Sequence, residues 1–599
     1  MHVIHAFARS SLLALALACA LQGSAQPQTP HLEGRVLVDP PNGLVDGSFC
    51  LSRFAPRSRP RFLLAASLNV KQVTDGQGNV LDYDGDFNGR MVGESHEYVV
   101  AGRDSSHPVS GLCVSYRGAV PVFESNTATR DWKGRIVATR GSIRLSEQTR
   151  WYPTLFDSAA GRDLQAVSYR VAVTCGTCDA IYLNGAPPVT DTIGRFESAT
   201  PRALLLLAGN FPVHSTGDLS FVGGPAGAHA SRVFASSVRA IGDYYATLLG
   251  EPYRERPVFL TFHSISRDRR PGRPDWAFVT WPTIAFSGGV EFDSLLVMRG
   301  GELRLPADVW TTVSHEMGHY YFGTLQTPAG PLRWLVLEST AEYLAFKSIA
   351  RFEGRTAFSA RVVEQLSQIA REFVPLDRVD DPEQIDANYR YRFAPLFLLA
   401  LERRVGEAKV FGLLRALLGA PGGEPVDFAA LARAAGKAGI PAAELTTGAT
   451  TADLRHALLP DVRADLTAAV GDPGEHDAAV NLAVALSNMD TTQAARVAVL
   501  TELKRLVALS PDHLRAHYQI GRLGALTGRE PEAALAALQR YLREPPPAGA
   551  PSHAAAHWRR GMIEEQRGQV ELARQAYRAA LALDPNYAAA RDALSRLER

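Results

Sequence analysis

The chain has 599 residues, 46% of them apolar, 21% charged and 8% aromatic, which is too long for a single hydrophobic core and is neither collagen-like nor disordered in composition. Its 63 Lys and Arg against 62 Asp and Glu leave a formal charge of +1, so no global field draws it to nucleic acid or to an anionic bilayer.

Arg9 precedes an apolar run from Ser11 to Leu21, and Gly23, Ser24 and Ala25 then offer small residues for a leader-peptidase pocket. Residues 1–25 read as a secretory signal cleaved after Ala25. The run is shorter than the roughly 20 residues a bilayer span needs, and no later segment qualifies. Lipidation at Cys19 is the alternative, although Ala16-Leu17-Ala18 fits a lipobox poorly. Cleavage leaves Cys50, Cys113, Cys175 and Cys178, an even set that permits Cys50 with Cys113 and Cys175 with Cys178 without fixing the connectivity. An exported protein, periplasmic or secreted, is expected.

From Val36 to Thr200 short alternating runs punctuated by Gly, Pro, Asn and Asp predict an antiparallel β-sandwich over residues 26–200. Cys175-Gly-Thr-Cys178 reads as a hairpin staple, and Trp151-Tyr-Pro153 as an aromatic packing element. The period becomes helical at Val233 to Leu249, a strand follows at Val258 to Phe262, and four arginines in Arg267 to Pro274 mark a solvated loop. Helices are then predicted at Val309 to Phe322, Trp334 to Phe352, Ala357 to Phe373 and Phe393 to Val405. Ala420 to Pro425 and Thr446 to Thr451 look like linkers. In the tail, Gly521, Gly528, Ala533 and Pro545 recur forty residues later as Gly561, Gly568, Ala573 and Pro585. That pattern resembles the tetratricopeptide repeat, in which small residues let two helices pack closely.

His315-Glu316-Met-Gly-His319 carries the chemistry. At about 100° per residue the two histidines share one face and can present two imidazoles to one metal, while Glu316 stands beside that face, able to meet a water without being a ligand. A hydrolytic zinc needs a third ligand and an open position. Glu338, separated from His319 by eighteen residues and a Pro/Gly loop, supplies it from the first turns of the next helix. Glu342, one turn on, can accept from a ligand imidazole or stand as a solvated carboxylate.

This spacing resembles the gluzincin metallopeptidases of the aminopeptidase N type, as does Trp334-Leu-Val-Leu-Glu338-Ser-Thr-Ala-Glu-Tyr343, although Val-Leu replaces the family's Asn before the glutamate. The resemblance covers roughly residues 140–405 and implies a thermolysin-like α+β zinc peptidase domain with one zinc ion per chain. It implies that Gly288-Gly289-Val-Glu291-Phe292 corresponds to the Gly-Ala-Met-Glu-Asn motif, with Glu291 binding the substrate's free amine. It also implies an oxyanion-stabilising tyrosine, Tyr389 in the matched register, with Tyr391 as the fallback.

The expected fold is therefore multidomain: signal peptide 1–25, β-sandwich 26–200, catalytic domain 201–415, helical linker 416–475 and all-α repeats 476–599. The expected activity is zinc-dependent removal of N-terminal residues from peptides, with His315, His319 and Glu338 on the metal, Glu316 as base, and the repeats holding a protein partner or capping the domain. The rivals are an endopeptidase of the same fold and a secreted scaffold whose zinc domain is inactive.

Overall fold

Period-two alternation buries one face of each N-terminal run, and such runs are stable only when sheets close on one another. The computed structural model describes residues 29–599 except 86–93, 102–107, 125–126, 158–161, 218, 267–273, 275, 370 and 449; the expected leader, Cys19 and most of the arginine-rich loop lie outside the described residues. The chain divides into two compact units, one of residues up to 235 with 254–304, the other of 236–253 with 305–599.

In the first unit a six-stranded sheet has the order Ile193–Arg202, Val167–Thr174, His31–Asp39, Leu44–Ser52, Leu112–Ala119, Leu68–Asp75. It shares one core with a five-stranded and a four-stranded sheet, drawing in Leu32, Phe49, Phe62, Tyr116, Ile143, Trp151 and Leu206. Trp151 and Tyr152 are fully buried, and the Trp151 ring meets Phe49 edge-on. Among the described strands of the sandwich the pairing is antiparallel with one exception. His31–Asp39 runs parallel to Val167–Thr174, a pairing between strands far apart in sequence that no hairpin can join. Cys50 faces Cys113 directly across neighbouring strands and is bonded to it. Cys175 and Cys178 are also bonded, but the hairpin reading is corrected: the strands on either side, Val167–Thr174 and Ala180–Leu183, belong to different sheets, so the pair closes a turn between sheets.

A mixed five-stranded sheet completes this unit, with Ser220–Val222, Val258–Phe262 and Thr283–Ser287 parallel and buried along most of their length. Helix α1 (Ala228–Leu249) starts in this unit, where the Asp293 carboxylate accepts from the Gly227 and Ala230 amides at its N-terminus.

The second unit is helical. α2 (Ala307–Tyr321) follows a proline at its N-cap and carries Asp308 in its first turn, where the helix dipole favours an anion. Val309, Val313, Met317 and Tyr321, four apart, are buried along it. α3 (Thr340–Phe352) packs against α2, and α4 (Arg355–Ser367) and α5 (Ala394–Val405) pack against α3. The helix expected through Phe373 stops at Ser367, and Val374, which precedes a proline, is biased away from the helical region. In the tail, Leu514–Thr527 pairs with Pro531–Tyr541, and His553–Gln566 with Val570–Leu583. A Cβ at Gly521 would lie 2.3 Å from the Leu538 side chain, and one at Gly561 2.3 Å from Tyr577, so both glycines sit where the paired helices touch. Among the described residues no helix is long and apolar enough to cross a membrane.

Candidate metal centre

Three elements of the second unit build the centre: α2, the turn entering α3 and the turn entering α5. α2 and α3 approach closely because Gly318 has no side chain; a Cβ there would lie 2.9 Å from the Ala341 Cα. Their contact is further tied by Ser348, whose hydroxyl meets the Ser314 hydroxyl and the Trp310 indole N–H, both at 2.9 Å.

Leu335–Ser339 is a widened, π-helical turn, and so is Tyr389–Phe393; the two lie against each other, the Ser339 hydroxyl donating to the Arg390 carbonyl at 2.8 Å. Such turns add one residue to a helix and recur at functional sites. Here the first bears Glu338 and the second Tyr391.

The structure brings His315, His319 and Glu338 together. Nε2 of His315 lies 3.2 Å from Nε2 of His319, and each lies 3.4 Å from Oε2 of Glu338. A tetrahedral ion with bonds of about 2.05 Å separates neighbouring donor atoms by about 3.3 Å, so the three atoms form one face of such a sphere. The far nitrogens fix the tautomers. Nδ1 of His315 donates to Oε2 of Glu342 at 3.0 Å, and Nδ1 of His319 donates to the Phe322 carbonyl at 3.2 Å. Both Nε2 atoms therefore turn lone pairs toward each other and toward a carboxylate, an arrangement that repels itself and attracts a cation. Among the described residues it is the one group of three or more such side chains disposed to hold a metal ion.

The carboxylates favour positive charge at this point, whether a proton or a metal ion supplies it. Burial opposes a charge on His315, but hydrogen bonding to Glu338 and Glu342 and the charge of Glu316 outweigh it and hold the imidazole well above its ordinary pKa. Burial likewise pushes Glu338 up, and His319 and His315 overcome it, holding the carboxyl well below the usual range. For Glu342 burial is again the largest influence and raises the pKa, while the His315 hydrogen bond and the Arg361 charge bring it down to about 2. Its alternative reading as a solvated carboxylate is corrected: the residue is buried.

Glu316 is buried and close enough to influence both His315 and Tyr391. The two tyrosines separate cleanly. Tyr389 is fully buried away from the cluster, its hydroxyl donating to the Val374 carbonyl at 2.9 Å. The tyrosine at the centre is Tyr391, whose ring centroid lies 6.0 Å from that of His315. Burial, then the charge of Glu338 and a hydrogen bond with it, raise its pKa far above the ordinary value. The widened turn thus carries Tyr391, two places on, toward His315 and Glu338, and leaves Tyr389 against Val374.

Gly288, Gly289 and Glu291 lie in the first unit. The glycines have φ of +96° and +57°, where a side chain is strained, and a Cβ at Gly289 would strike the His263 ring. The Gly289 amide donates to the Phe262 carbonyl at 2.9 Å, carrying the parallel pairing of Val258–Phe262 with Thr283–Ser287 past the strand end. Glu291 follows, exposed, at the start of the 3-10 turn Phe292–Leu295.

Arg361 was missed by sequence reasoning. It donates to Oε1 of Glu342 at 2.9 Å, and a charged residue within a run of helical period carries no mark of what it faces.

No protein-family model and no curated protein matches the chain. Among solved structures it is similar to native leukotriene A4 hydrolase from Saccharomyces cerevisiae, with 11% identity, a TM-score of 0.51, and 98% of this chain and 97% of that one covered. The yeast leukotriene A4 hydrolase solved in complex with bestatin gives 12% identity, the same coverage and a TM-score of 0.50. An M1 zinc metallopeptidase from Deinococcus radiodurans is similar at 16% identity over 72% of this chain and 94% of that one, with a TM-score of 0.47. At such identities the likeness to the yeast proteins is one of fold, and it extends over nearly the whole chain.

Proposed function

We propose that the protein is an exported zinc metallopeptidase of the gluzincin type, acting as an aminopeptidase on peptides with a free N-terminus. The observation that carries this reading is the convergence of three lone pairs, from His315, His319 and Glu338, at the spacing of a tetrahedral zinc face. These three residues would hold one ion. When bound there, zinc supplies a Lewis acid that polarises a scissile carbonyl and brings the pKa of water to near 7.

The chain's own residues do the rest. Glu316 takes the proton of the attacking water and returns it to the departing amine as the C–N bond breaks. The Tyr391 hydroxyl, kept protonated by burial and by Glu338, donates to the carbonyl oxygen as it gains charge. Glu291 pairs with the substrate's ammonium and selects free N-termini. The divisions at 26–200, 201–415, 416–475 and 476–599 are kept as proposed domains, and the helix pairs of the last as a surface for a protein partner. The two disulfides are compatible with export to the periplasm or beyond.

The test is a panel of aminoacyl anilides and N-blocked peptides, run with wild type, Glu316→Gln and Glu291→Gln, with and without chelator. Hydrolysis of free-amine substrates only, lost with chelator and restored by zinc, is expected. Hydrolysis that survives in Glu316→Gln overturns the mechanism, and cleavage of blocked peptides unaffected by Glu291→Gln makes the enzyme an endopeptidase.

A further inference from the structure

We infer that Arg361 is a positioning residue for the metal centre, acting on His315 through Glu342; the inference rests on the zinc reading above. The Glu342 carboxylate is used on both sides. Oε2 accepts from Nδ1 of His315 at 3.0 Å, and Oε1 accepts from Nη2 of Arg361 at 2.9 Å. One bond leaves a carboxylate free to rotate about it, whereas two bonds from opposed groups fix its plane and with it the line along which the imidazole points its other nitrogen.

Arg361 is itself held. Its Nη1 donates to Oε2 of Glu364 at 2.9 Å, and the buried Gln365 amide, with its oxygen turned to the guanidinium, accepts from Nη2 at 2.6 Å. Glu364 and Gln365 stand three and four places along α4, so the helix itself sets where the guanidinium points. An unbroken chain of contacts thus runs from α4 through Arg361 to Glu342 on α3 and His315 on α2. A planar fork suits this task and an ammonium does not, because only the fork meets Glu342, Glu364 and Gln365 at once.

The measurement is the zinc dissociation constant of the full-length protein, by competition with a fluorescent chelator, for wild type, Arg361→Met, Glu342→Gln, the double variant and Arg361→Lys. Wild type is expected to bind one zinc. Arg361→Met should bind it about 10- to 100-fold more weakly. In the Glu342→Gln background the same change should cost no more than twofold, since its route to His315 is already cut. Arg361→Lys should recover only part of the loss. Wild type that takes up no zinc overturns the metal reading itself. Wild type that binds zinc beside an Arg361→Met that binds it equally well overturns this inference alone. An equal further loss in the Glu342→Gln background does so too, because it marks general structural support. Where circular dichroism shows Arg361→Met unfolded, Arg361→Gln carries the same comparisons.

Discussion

In the proposed mechanism Glu316 and Tyr391 serve different moments of one reaction, so their removal reads differently. Glu316→Gln is expected to lower kcat by about 10³-fold with zinc stoichiometry unchanged, checked by steady-state hydrolysis beside metal analysis. Tyr391→Phe should lower kcat by about 10²-fold with little change in KM. Tyr389→Phe should leave kcat within about twofold and cost about 1 kcal/mol in urea unfolding, since its hydroxyl serves only the Val374 carbonyl. Should Tyr389→Phe prove the slower enzyme, the assignment of the two tyrosines falls. At this scale the two histidines were legible because a helix converts sequence spacing directly into angle, and Glu338 because it is the first carboxylate beyond the Pro/Gly loop that follows them. Tyr391 was legible only as a fallback: the register came from matching Phe393-Ala394 and Leu396-Phe397 to the family's apolar helix, and nothing in Tyr389-Arg-Tyr-Arg-Phe393 marks the widened turn there.

Between helices, the site depends on how closely α2 and α3 approach. Gly318→Val must push against the Ala341 backbone, and separating the helices draws His319 from Glu338. Loss of stoichiometric zinc with the helical content retained is expected, seen by metal analysis with circular dichroism. The bond between Glu342 on α3 and His315 on α2 also links folding to pH. Its folded pKa of about 2 lies below the ordinary 4.5, so its stabilisation is complete above pH 4.5 and disappears as pH falls through 2. In metal-free protein, Glu342→Gln should be less stable than wild type by about 3 kcal/mol at pH 6, and the gap should close toward pH 2 in denaturant titrations. A gap independent of pH refutes the link. Helix existence followed from apolar period, and Gly521 and Gly561 rightly marked close helix contacts. The Arg361 tie did not follow, because a salt-bridged pair on a helix looks the same in sequence whether it faces water or a buried carboxylate.

Across the whole molecule, the order of the architecture was legible, strands first and helices after, because the change from period two to period 3.6 survives any detail of packing. What was not legible was pairing between distant strands. The parallel partnership of His31–Asp39 with Val167–Thr174 and the seating of Cys175 and Cys178 between two sheets depend on which surfaces meet, and alternation alone does not encode that. Cys50 and Cys113 close a separation of 63 residues within the first unit, so replacing both by alanine should lower its unfolding free energy by about 2 to 4 kcal/mol, measured in urea. The two widened turns carry a different lesson about chain length. Each behaves as a single-residue insertion absorbed where Glu338 and Tyr391 emerge, so a deletion of one residue inside either would restore ordinary winding, leave the flanking segments in phase and remove the widening at that side chain. Set against a chain that winds ordinarily at these points, this one needs a one-place gap at each, or the wrong side chains stand opposite one another.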